Sequence, residues 1–147
     1  MNSALLHAHS GLRWIALFLL VFAIFNAAKS QNTGKYLKKD KMINLFAMIF
    51  MHIQLLIGLI LYFTSGKVSF TEGWMKNSLL RFFGMEHILL MVLAIVVITM
   101  GRSKAEKKLK GTRDKHRKIL VSYTIGLLIV LIAIPWPFRA ALGGAWF

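Results

Sequence analysis

Eight polar side chains lie inside otherwise apolar stretches of this chain: His7, His9 and Arg13; His52 and Gln54; Arg81, Glu86 and His87. Ionisable groups in hydrocarbon cost several kcal/mol, so they are normally paired, turned into protein and functional. Imidazole is the versatile member of the set, because a neutral ring can ligate a metal through one nitrogen while the other makes a hydrogen bond. The chain has no cysteine, which excludes disulfides, thiolate metal sites, iron–sulfur clusters and cysteine nucleophiles. Any metal must therefore be held by His, Met or carboxylate. His116 stands apart, within Asp114-Lys115-His116-Arg117, and is expected to be solvated.

The elements that position these residues follow from hydropathy. Of the 147 residues, 57% are hydrophobic and only 16% charged, which points to lipid rather than water as the solvent. Apolar stretches at about 5–28, 42–65, 78–101 and 119–138 are each long enough to cross a hydrocarbon layer of ~30 Å at ~1.5 Å per residue. The expected architecture is all-α, an integral membrane four-helix bundle forming a single domain over 1–147. The first stretch has no Lys or Arg before it and exceeds a signal-peptide core, so it is expected to be retained. Pro135 and Pro137 bracket Trp136 where the last helix should end.

Charge gives the orientation. The chain has 19 Lys and Arg against 5 Asp and Glu, a net charge of +14. Five of the basic residues fall in 29–42 and nine in 101–118, so the excess marks two loops rather than a nucleic-acid surface. No nucleic acid is expected as a partner, and the lipid bilayer is. The positive-inside rule places both basic loops in the cytoplasm and both termini outside, with Trp74, Trp136 and Trp146 at the outer interface. Small residues recur on each helix, as in Ala16, Ala23 and Ala27 or Ser122, Gly126 and Ala133, and suit close helix packing.

On this topology His9 and His87 lie about two turns below the outer surface, on helices that both enter from outside, whereas His52 lies nearer mid-membrane. Two imidazoles facing each other at one depth are the axial ligand pair of a haem iron. Arg13, four residues after His9 on the same face, and Arg81, outward of His87, are candidate partners for haem propionates. Gly84 and Ala94 flank His87 and leave room for a ring edge. Two ambiguities stay open: His7 in place of His9, and His52 as a group supporting the ligands, as a ligand of another cofactor, or as the partner of His87 if the second helix is displaced outward. Glu86 has three candidate roles, neutralising Arg13, orienting a ligand or passing protons.

The strings HAHSGLRW, HIQLLIGLILYFTSG and MEHILLM resemble the four-helix module of small membrane b-type cytochromes, and most closely one half of the haem A synthase family. In that family a His followed by Arg on the first helix and a His on the third hold one haem, and Gln54, Gly58 and Ser65-Gly66 match its second helix. The resemblance implies haem b held by His9 and His87 with Arg13 near the propionates, in the inner membrane of a bacterium. It departs in having a single module, and in spacing Arg13 four residues from His9. Haem synthesis is thus not implied, and no catalytic residue is assigned.

The expected function is electron transfer through haem b, quinone-linked or as a small subunit of a respiratory complex, with a homo-oligomer compatible. A non-catalytic membrane subunit or assembly factor whose histidines only bond helices together is the alternative. A transporter has little to support it, because no inverted repeat or broken helix pair is visible.

Overall fold

A computed structural model describes residues 3–144 and 146. Four helices account for most of the chain: α1 (Ser3–Ser30), α2 (Lys38–Thr64), α3 (Ser78–Lys107) and α4 (Thr112–Ala133). Each is long and apolar enough to cross a membrane, so the chain is an all-α, multi-pass membrane protein. Consecutive helices are neighbours and α4 closes against α1, as short connections between antiparallel helices require.

The small residues decide where the helices meet. On α1, Ala16, Leu20, Ala23 and Ala27 are buried at alternating four- and three-residue spacing, while Phe18, Val21, Phe22 and Phe25 are exposed on the lipid side. The α3–α4 contact is closest. A methyl group at Gly101 would lie 2.0 Å from Ser122 Oγ, and one at Gly126 would lie 2.5 Å from Ile98 Cγ1. Glycine is needed at both positions because the side chains of Ser122 and Ile98 on the facing helix already occupy the space a methyl group would take. The α2–α3 seam is looser, and there the bundle opens into a cleft.

Helix ends depart furthest from the hydropathic expectation in two places. The expected loop over 101–118 is mostly helix, with only 108–111 between α3 and α4, because hydropathy registers the hydrocarbon boundary and not the point where hydrogen bonding stops. At the other end α4 stops at Ala133, not at 138. Ile134 is extended (ψ 131°), as a residue preceding proline is pushed to be.

At the end bearing the basic segments the structure corrects the expectation for His116. It is buried (1% exposed), with Nε2–H donating to the Lys35 carbonyl at 2.9 Å and its ring edge-on to Tyr36 at 4.9 Å. Its neighbours form a polar knot. The Tyr36 hydroxyl donates to Glu106, Asn44 donates to Tyr36 (3.2 Å), and Tyr123 donates to the Asn44 carbonyl (2.6 Å). Buried Asp40 accepts from Asn26 (2.8 Å) and from the Leu37 N–H (2.7 Å), capping the start of α2. Burial first, then the Glu106 hydrogen bond, push the Tyr36 phenol above its ordinary value of 10.0.

Candidate cofactor site

The opposite end of the bundle holds the cleft, with about 160 Å³ of water-accessible room inside a partly open space of about 1230 Å³. Its walls are mostly aliphatic, from α1 (Leu17), α2 (Met51, Leu59), α3 (Met91, Ile95) and α4 (Val130). Against them stand His9, Arg13, Gln54, Tyr62, Lys67 and His87.

His87 is placed by two irregularities. Phe82–Glu86 forms a π turn, closed by the His87 N–H donating to the Phe82 carbonyl, and such turns inside α-helices commonly mark functional positions. Tyr62 on α2 donates to the Gly84 carbonyl of that turn at 2.9 Å, fastening α2 to α3 beside the cleft. The second irregularity is the end of α4. Leu131 and Ala133 would ordinarily receive hydrogen bonds from the residues four ahead, which are Pro135 and Pro137 and have no N–H. The orphaned Leu131 carbonyl accepts from the Trp136 indole (2.8 Å), and the orphaned Ala133 carbonyl accepts from His87 Nδ1 (2.7 Å). A proline pair just past the end of one helix thereby fixes the tautomer of a histidine on another, leaving the His87 Nε2 lone pair available to a metal.

His9 faces α2. The Arg13 N–H, which can only donate, and the His9 carbonyl, which can only accept, assign the Gln54 amide: its oxygen accepts from the Arg13 N–H (3.0 Å) and its nitrogen donates to the His9 carbonyl (3.2 Å) and to His9 Nδ1 (2.8 Å). Gly58 allows the close approach: a methyl group there would lie 3.4 Å from His9 Cε1. The His9 and His87 ring centres are 6.5 Å apart, with their planes at 79°. Metal–nitrogen bonds of ~2.0 Å on both sides, extended by half a ring each, require a centre-to-centre distance of ~6 Å.

The structure separates the remaining candidates. Arg13 borders the cleft and donates to the Trp146 carbonyl at 2.8 Å. Arg81 lies outside it, with Nε donating to Glu86 Oε1 at 2.6 Å and Nη1 to the Met75 carbonyl at 3.1 Å. Glu86 is therefore the partner of Arg81 rather than of Arg13. His7 is exposed on α1. His52 is also outside the cleft, and both its nitrogens are engaged, with the Met48 carbonyl (2.9 Å) and with Thr99 Oγ1 on α3 (3.4 Å).

Two features of the site had no separate signal in the sequence. Lys67 follows α2, its N–H held by Ser65 Oγ at 3.1 Å, and borders the cleft with its ammonium 5.1 Å from the Phe83 ring centre. The segment after α4 folds back against α1, and its Pro135 and Gly143 border the cleft. Trp146 stacks on Trp14 (6.1 Å), its carbonyl accepts from the Trp14 indole (3.0 Å), and Trp136 packs edge-on to Trp14 (6.1 Å).

No known protein family, curated protein or solved structure matches this chain. Its functional interpretation is carried by the cleft itself.

Proposed function

We propose that the chain binds haem b in this cleft, with His9 and His87 as axial ligands, and passes single electrons. The observation that carries this is the pair of imidazole centres 6.5 Å apart across an apolar, partly open space. Two imidazoles are an incomplete set for a bare zinc ion but a full axial set for an iron that brings its own equatorial nitrogens. Among the described residues no group of three or more His, Cys, Asp or Glu comes together, so the donor set suits the second case.

The other groups fit the same ligand. His87 presents a lone pair because Ala133 holds its other nitrogen. His9 does so once the Gln54 amide turns its oxygen to Nδ1–H. The aliphatic walls would exclude water from the macrocycle, and Arg13 at the mouth would pair with a propionate, with Lys67 as a second cation. Bound there, the group would supply one reversible iron-centred electron. The chain's own residues would fix the ligand rings, and their polarity and charge would set the reduction potential.

The proposed setting is the inner membrane of a bacterium, with both termini outside and the site near the outer surface. A membrane quinone or a neighbouring respiratory subunit is the natural electron partner. The test is the reduced-minus-oxidised absorption spectrum of the purified protein. A sharp α-band that disappears on reoxidation by a soluble quinone is expected. Colourless protein at full occupancy would instead support a cofactor-free membrane subunit or assembly factor.

A further inference from the structure

We infer that the two imidazoles are unequal, His87 being the fixed ligand and His9 the exchangeable one, so that the loaded protein takes up a small neutral diatomic ligand in place of His9. This rests on the haem proposal above and adds to it a second kind of ligand at the same site.

The asymmetry lies in what holds each ring. His87 Nδ1 is bonded to the Ala133 carbonyl at 2.7 Å, and Pro137 has no N–H to compete for that carbonyl. The ring is thus already in the form a metal needs, and ligation breaks no protein hydrogen bond. His9 is held the opposite way. The His9 carbonyl and the Arg13 N–H fix the Gln54 amide so that it directs an N–H hydrogen bond at Nδ1, and the imidazole proton is then on Nε2, the nitrogen that would face a metal. To ligate, His9 must move that proton to Nδ1 and Gln54 must turn its amide over. In turning, Gln54 loses its donation to the His9 carbonyl and its acceptance from the Arg13 N–H. This opposing cost weakens the bond from His9 and leaves the bond from His87 untouched.

The surroundings favour exchange on the same side. On the Cε1 side of His9 stands Gly58 of α2, which has no side chain to clamp the ring, and Leu59 and Met51 also line the cleft. A largely aliphatic pocket next to a weakly held ligand accepts a small uncharged molecule. Once displaced, His9 returns to the Gln54 bonding it already has.

Carbon monoxide is the probe. The purified chain, loaded with haem b and reduced with dithionite, is expected to shift its Soret band under saturating carbon monoxide. In Gln54→Glu the carboxylate can only accept, so it holds the His9 proton on Nδ1, and carbon monoxide uptake should weaken by ~10–100-fold. His9→Ala should retain haem in a high-spin form that binds carbon monoxide, whereas His87→Ala should lose it. A reduced spectrum unmoved by carbon monoxide, or equal loss of haem from the two alanine variants, overturns the inference. If His9→Ala does not fold, as judged by circular dichroism, the wild type and Gln54→Glu decide it alone. A wild-type protein that never develops a Soret band overturns the haem proposal itself.

Discussion

Which nitrogen carries the proton matters more for His9 and His87 than how deep the residues lie, and neighbouring backbone and amide groups set it. The charged residues around them divide in two. Arg81 and Glu86 satisfy each other at 2.6 Å, while Arg13 borders the cleft, so the two arginines should respond differently to mutation. Arg13→Gln should loosen haem by ~10–100-fold, the loss of a charge-assisted hydrogen bond, and lower the reduction potential because removing positive charge favours ferric iron. A haem titration and a redox titration measure these two effects. Glu86→Gln strands Arg81 and should lower thermal stability with little change in potential; a Glu86→Gln potential shift as large as that of Arg13→Gln would contradict this division. Residue type and depth made His9, His87 and Arg13 legible as a group in the sequence. They misled for His116, because a histidine in a charged run looks solvated, and only the fold shows Tyr36 and the Lys35 carbonyl enclosing it. They left His52 ambiguous for a similar reason, since Thr99 is 47 positions away.

Hydropathy located all four helices, but it does not report where a helix stops or how closely two helices approach. The end of α4 shows the difference. Pro135 and Pro137 were visible as a helix end, whereas their effect on His87 is a tertiary consequence of two missing N–H groups. Replacing both with alanine would let α4 continue and reclaim the Leu131 and Ala133 carbonyls. Haem affinity should then fall by ~10–100-fold with the helical content unchanged or higher, as titration and circular dichroism would show. The α3–α4 contact gives a second test. Gly101→Ala places a methyl group against Ser122 and should cost about 1–3 kcal/mol, with Ser122→Gly recovering part of the loss in the double variant. At the basic end, the Tyr36 phenol titrates above its ordinary value of 10.0. Below that pH both folded and unfolded chains keep the proton; above it the unfolded chain loses it first, so stability falls as pH rises. Tyr36→Phe should remove that part of the alkaline slope in thermal unfolding.

Across the whole molecule the polarity is simple: a polar knot and the basic segments at one end, the two-histidine cleft and a tryptophan cluster at the other. On the proposed orientation the cleft end of this axis lies outside. Because the chain has no native cysteine, Ser3→Cys and Ser103→Cys report each end without background. In intact cells an impermeant thiol reagent should label Ser3→Cys and spare Ser103→Cys, and the reverse pattern would invert the orientation. The return of the chain after α4 to α1 was not legible, since it depends on Trp146 meeting Trp14, more than a hundred positions earlier. The central claim is that this end of the bundle is a haem site, and the haem content of the purified protein tests it most directly. Wild-type protein produced with ample haem should carry it stoichiometrically, and His87→Ala of unchanged helical content should carry none; folded wild-type protein without porphyrin, or a His87→Ala variant that retains it fully, would contradict the account.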